Sequence, residues 1–214
     1  MKKALFLLFL LVMSAVCQAQ SSYCLSFADY LEGQWQPLDH LQLKHRTETK
    51  VLMWGGSNIK PVTGHKSIDK LLKKKARLIR HNDSLYVNCR HLSCDGVALG
   101  NWYAPAYVFE RDYLLLIAPS IETRRSVNNM SFLFGIVGGL VAASTGKPLS
   151  CYVLNPATTQ IELIGRDMMA RLTNGRTDLQ MEYKQTDPDL DFRPDTVLPF
   201  LQKLGLVDKL PSTM

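Results

Sequence analysis

Asp187, Asp189 and Asp191 alternate in TDPDLDF, and alternating carboxylates are what a calcium loop wraps around its ion. The glycine that turns such a loop and the bidentate glutamate that closes it are both missing, so this run reads as an acidic connector. The five histidines, His40, His45, His65, His81 and His91, show no ligand spacing, and no C-x-x-C occurs. Neither pattern supports a metal site. There is no G-x-S-x-G elbow, no H-E-x-x-H helix and no G-x-x-x-x-G-K-[ST] loop. Gly135, Gly138 and Gly139 lie among aliphatic residues without a matching lysine or acid, so they do not make a dinucleotide loop. No catalytic residue, metal or cofactor is assigned, and binding is expected rather than turnover. The alternative is a hydrolase or carbohydrate-active enzyme whose site is assembled from distant residues.

Four cysteines follow position 20: Cys24, Cys89, Cys94 and Cys151. An even number suits disulfides in an oxidising compartment, with three possible pairings. The expected bond joins Cys151 to Cys89 or Cys94 and ties two parts of a sheet together. Buried thiols that act as small hydrophobes are the alternative.

The segment GHKSIDKLLKKKARLIR carries the most charge. Ile68, Leu71 and Leu72 recur at i, i+3 and i+4, and Ser67 is a fair N-cap, which predicts a short basic helix. Lys66, Lys70, Lys73, Lys74 and Lys75 either meet an anionic partner or make a solvated face.

The most unusual stretch is MSFLFGIVGGLVAASTGK, residues 130–147. Ser131, Gly135, Gly139 and Ala143 are four apart, a small-x-x-x-small stripe if the segment is helical. Glycine inside a helix costs roughly 0.5–1 kcal/mol relative to alanine, so a close-packed surface is expected to offset it. That surface is the core of one monomer, a second copy or other protein, or a membrane contact. Fifteen helical residues reach about 22 Å, short of the roughly 30 Å hydrocarbon core, so a full span is disfavoured.

The first residues read as an address. Lys2 and Lys3 precede an apolar run from Ala4 to Val16, and Cys17-Gln18-Ala19 is a small-x-small processing site. Cleavage is expected after Ala19, leaving Gln20 at the new terminus. Lipidation of Cys17 is the alternative, but Val16 before it is bulky for that processing. Loss of Lys2 and Lys3 lowers the net charge from +6 to +4. That is mildly basic; it suits lipid headgroups or acidic polysaccharide and falls far short of a nucleic-acid footprint.

Around these features the elements follow from alternation and turn chemistry. Phe27 to Leu31 suits a short helix, followed by Gly33-Gln34-Trp35, where a Trp packed over a turn is expected. TKVLMWGG reads as a strand ended by paired glycines. Three hairpins follow, around His81-Asn82-Asp83, Arg111-Asp112 and Asn155-Pro156. In the first, Leu85, Val87 and Cys89 share one face and Tyr86, Asn88 and Arg90 the other, as in a half-buried strand. From Gly165 the period changes. Met168, Met169 and Leu172 suit one helix, and Leu179 with Tyr183 a second. RPDTVLPFLQKLGLV suits a third, capped by Asp195 and ended by Gly205.

In this order, WGGSN, TGHKSIDKLLKKKARLIRHNDSLYVNCRHL, FGIVGGLVAA and SCYVLN resemble a family of exported proteins from Bacteroides-type bacteria known only as a domain of unknown function. The resemblance implies a Gram-negative envelope setting and brings no activity with it. The expected fold is α+β, an antiparallel hairpin-rich sheet followed by short C-terminal helices, with the apolar Gly-rich segment between strands. Residues 1–19 are the signal, 20–165 a β-rich domain that includes 130–146, and 166–214 a helical extension packed on it. The expected role is a periplasmic or outer-membrane-facing binding or scaffold protein that uses 131–143 for partner contact or self-association. A membrane-associated assembly factor is the other alternative.

Overall fold

The computed structural model describes residues 21–47, 57–110, 112–121, 149–188 and 192–207. Its strands are β1 Ser21–Cys24, β2 Gln36–Leu38, β3 Gln42–His45, β4 Ile59–Val62, β5 Leu78–His81 and β6 Ser84–Asn88. They continue with β7 Ser93–Cys94, β8 Val97–Ala98, β9 Tyr103–Phe109, β10 Tyr113–Pro119, β11 Leu149–Leu154 and β12 Ile161–Leu163. The helices are α1 Phe27–Leu31, α2 Lys66–Lys74, α3 Arg166–Leu172, α4 Thr177–Lys184 and α5 Pro194–Lys203. This is an α+β chain built on an antiparallel sheet.

Eight strands form that sheet, in the order β12-β11-β10-β9-β6-β5-β1-β2. All three predicted hairpins are present: β5–β6, β9–β10 and β11–β12. The β5–β6 reversal holds Asn82 at φ 47° and Asp83 at φ 61°. Those left-handed values match the right-handed twist of the strands, and Asn and Asp tolerate them better than most residues.

The strand period of two sorts the side chains into two faces. Leu114 and Leu116 of β10 share one cluster with Tyr152 and Leu154 of β11, Val87 of β6, Leu78 of β5 and Cys24 of β1. Ile161 and Leu163 of β12, at the far edge, pack against that same cluster. One apolar cluster therefore runs along this face from β1 to β12. Phe27 of α1 and Leu92, Cys94 and Leu99 around the β7–β8 hairpin help to fill it.

The opposite face carries two further clusters. At one end Leu115, Ile117, Cys151 and Val153 pack under Met169 of α3, Tyr183 of α4 and Val197 and Leu201 of α5. At the other, Ile79 and Tyr103 pack under Leu72 of α2, Ala76 and Ile59 of β4. Fully burying a leucine or isoleucine contributes about 1.5–3 kcal/mol, so both layers are fixed firmly to the sheet.

Several expectations are corrected. β6 is covered on both faces rather than half-buried, because α2 closes over the side that alternation leaves polar; Val87, Asn88 and Cys89 are all buried. α2 begins at Lys66 with His65 as its N-cap, and Ser67 lies inside the helix. α5 is capped at Arg193 with Pro194 as its first residue, which places Asp195 in the first turn. A carboxylate there still suits the positive end of the helix. Trp35 does pack beside the turn that ends α1: Tyr30 meets it edge-on, and the Arg80 guanidinium lies 4.5 Å from its ring centre.

The expected disulfide is overturned. Cys24, Cys89, Cys94 and Cys151 are buried thiols, none of them in a disulfide. Cys89 and Cys94 belong to the cluster on the first face, whereas Cys151 belongs to the one on the opposite face beneath α3–α5. The sheet itself separates them. Burial pushes the Cys151 thiol well above its ordinary range, and the Cys24 thiol from 9.0 to about 11.

Candidate functional site

The charges on α2 follow from its period. Ile68, Leu71 and Leu72 turn toward the sheet and belong to or pack against the cluster there. Lys66, Lys70, Lys73 and Lys74 are exposed and occupy the other side at i, i+4, i+7 and i+8. The N-terminal end has no side-chain cap, and Asp69 in its first turn ties the helix to the chain before it. Its Oδ1 accepts from the Thr63 amide at 2.7 Å and from Thr63 Oγ1 at 2.8 Å. At the C-terminal end, Lys73 and Lys74 face the negative pole of the helix.

The β3–β4 hairpin stands opposite. Its register places Lys44 directly across from Lys60, and the Arg46 amide donates to Asn58 O at 2.7 Å. Arg46 Nη1 reaches Ser57 O at 3.4 Å. Pro61 has no N–H to give, as suits a strand with no further neighbour in its own sheet.

Between hairpin and helix lies a cleft of about 620 Å³. Arg46 and Lys60 line one wall and Lys70, Lys73 and Lys74 the other, with Ser57, Ile59 and Pro61 between them. Asp69 is the single carboxylate among the described lining residues, and Thr63 already donates to it twice. Among the described residues, Lys44, Lys60, Lys66, Lys70, Lys73 and Lys74 take part in no ion pair. The C-terminal helices differ: there Arg171 pairs with Glu162, Arg176 with Asp178 at 3.1 Å and Arg193 with Asp195 at 3.2 Å.

Like charges at i, i+4 on a helix cost roughly 0.2–0.5 kcal/mol per pair. Like charges facing each other across a strand pair are unfavourable too. The α2 stripe Lys66–Lys70–Lys74 has the first arrangement and the Lys44–Lys60 pair the second, and Lys60, Lys70 and Lys74 of these line the cleft. A bound anion would convert this repulsion into attraction.

Both walls are fixed by Tyr103 on β9. Its amide donates to Asn58 Oδ1 at 2.8 Å, and Asn58 Nδ2 donates back to Tyr103 O at 2.9 Å, which holds the hairpin. Its hydroxyl donates to Leu72 O at 2.6 Å, which holds the helix. Asn88 Nδ2 adds a bond to Ala76 O at 2.9 Å just beyond α2. Burial pushes the Tyr103 phenol far above its ordinary range, so it stays a donor.

The structure thus gathers part of what the sequence pointed to. Lys70, Lys73 and Lys74 line the cleft; Lys66 continues their stripe; Lys75 is the C-cap residue. Arg46, Lys60, Asn58 and Tyr103 were not anticipated. Only the lysine-rich composition around the helix hinted at them, since the Asn58–Tyr103 pair spans 45 positions. Cys89, Cys94 and Cys151 are core residues. Ala19, Gln20, Ser131, Gly135, Gly139 and Ala143 lie outside the described residues, as does the strand expected in TKVLMWGG. Among the described residues, no group of three or more His, Cys, Asp or Glu is placed to hold a metal ion, and no helix is long and apolar enough to cross a membrane.

No curated protein and no solved structure matches the chain. Residues 22–208, which include the cleft and the whole described sheet apart from Ser21, match a family model, and the chain belongs to that family of unknown function (DUF6563).

Proposed function

We propose that this is an exported, non-enzymatic binding protein that takes an anionic ligand in the cleft between α2 and the β3–β4 hairpin. One observation carries the reading: Lys60, Lys70, Lys73 and Lys74 line the two walls with no ion pair among the described residues, and the one carboxylate among the described lining residues is already engaged by Thr63. The sheet serves as the scaffold, and Tyr103 ties both walls to it. The apolar residues 130–146 stand as a second contact element on sequence grounds, and export rests on the signal pattern of residues 1–19.

Thermal unfolding of the chain from Gln20 onward, titrated with tripolyphosphate, tests the binding reading. A ligand at a hundred times its Kd stabilises the folded state by about 2.7 kcal/mol. The wild-type protein is expected to gain melting temperature, and a Lys70→Glu, Lys73→Glu variant to lose that gain while keeping its fold. An equal gain in both proteins, or none in either, refutes the assignment. Peptide mapping of the protein recovered from the envelope tests export: a chain still beginning at Met1 refutes it.

A further inference from the structure

The cations are strung out, not gathered. Lys66, Lys70 and Lys74 follow one another at four-residue steps along α2, so each rises about 6 Å beyond the last and the row covers about 12 Å. Lys70 and Lys74 line the cleft, and Lys66 carries the row past it along the exposed side of the helix. Lys73 thickens the row, and Lys60 and Arg46 stand on the facing wall. A compact phosphate is usually held otherwise, by converging backbone amides at a helix N-terminus or in a nest. Here the first turn of α2 carries the Asp69 carboxylate, which disfavours an anion there. The ligand that fits such a row carries several negative charges in line.

Three linear polyanions can then be told apart by chemistry. Single-stranded nucleic acid stacks its bases on aromatic side chains, and among the described residues none that lines the cleft is aromatic. Polyphosphate carries a charge on every backbone unit, more closely spaced than the lysine step. A chain of acidic sugars carries its carboxylates or sulfates a ring apart, on the scale of that step. Lysine ammoniums are mobile point charges and tolerate the varied orientation of such groups, where arginine forks would demand bidentate geometry.

We infer that the cleft binds a linear acidic oligosaccharide lying along α2, with successive carboxylate or sulfate groups meeting Lys66, Lys70 and Lys74 in turn while Lys60 and Arg46 close over it. This rests on the anion-binding reading above and adds the identity and direction of the ligand.

Calorimetric titration of the chain from Gln20 onward with galacturonic acid monomer, dimer, tetramer and hexamer tests it. Tripolyphosphate and oligothymidylate serve as competitors. Affinity is expected to climb with length through the tetramer and to fall as salt rises. Lys66→Gln and Lys74→Gln, at the two ends of the row, are each expected to weaken hexamer binding roughly fivefold, the equivalent of about 1 kcal/mol. Both should leave the monomer nearly unaffected, and both side chains are exposed, so the fold is retained. If the monomer binds as tightly as the hexamer, or both variants weaken them equally, the linear mode is overturned and the anion cleft stands. If tripolyphosphate or oligothymidylate outcompetes the hexamer, the sugar assignment falls and the cleft again stands. If none of these probes binds, both readings fall together.

Discussion

Replacing Tyr103 with phenylalanine removes one oxygen and nothing else, at the residue that holds both walls of the cleft. In the native protein that oxygen donates to Leu72 O at 2.6 Å and accepts from Asn88 Nδ2 at 3.4 Å. The Leu72 carbonyl has no helical substitute at hand: the amide four residues on, that of Ala76, already donates to Leu71 O at 3.1 Å. Leu72 is 0% exposed and Tyr103 2%, so water does not replace the hydroxyl. An unsatisfied buried carbonyl costs about 1–3 kcal/mol, and the longer bond to Asn88 adds little, since Asn88 keeps Ala76 O. A loss of about 2 kcal/mol is expected, which for a chain of this size lowers Tm by roughly 4–8 °C. Urea denaturation is the direct assay. The midpoint should fall while the m-value, which follows the area exposed on unfolding, stays unchanged. The backbone bonds from Tyr103 to Asn58 survive the substitution, so the hairpin wall remains and only the helix wall loosens. Hydrogen exchange should accordingly quicken in α2 more than in β3–β4. A stability change below about 0.5 kcal/mol, or equal loosening of both walls, would refute the view that this hydroxyl anchors the helix.

Three further outcomes follow from burial and backbone geometry. At pH 8 the folded protein should leave Cys24, Cys89, Cys94 and Cys151 unmodified by a disulfide reagent, and guanidinium should expose four reactive thiols beyond residue 20; fewer than four would restore a disulfide. Burial raises the Cys24 pKa from 9.0 to about 11, so the folded state keeps a proton that the unfolded chain releases. Stability is therefore whole below about pH 9 and declines as pH rises toward 11, and a flat profile in alkaline urea titrations would contradict this. Asp83→Gly in the β5–β6 turn, where φ is 61°, should raise stability by about 0.5–1 kcal/mol, checked by the urea midpoint; a decrease would mean that the Asp side chain contributes more than the backbone strain removes.

Local chemistry was legible in the order of residues. Asn82 and Asp83 favour the reversal they make, Ser26 and Asp29 cap α1 reciprocally at 3.0 and 2.9 Å, and Gly205 ends α5 at φ 70°. Each rests on neighbours a few positions apart, so periodicity and turn preference are enough to place it. The same reasoning missed β1 and β2, whose short polar sequences SSYC and QPL become strands only by pairing with each other and with β5. It also read Ser67 as the cap of α2, where His65 holds that position without a side-chain bond.

The amino-acid order by itself determined an α+β chain of hairpins then helices, and a basic helix with one apolar side. Only the tertiary structure decided that this helix faces Arg46 and Lys60, that its far end hangs from Tyr103, and that Cys151 is divided by a sheet from Cys89 and Cys94. The reason is sequence separation. Turn and helix preferences act among neighbours, whereas the choice of what packs on each face of the sheet comes from apolar burial between strands dozens of residues apart, and that same burial is what brings the scattered cations onto one cleft.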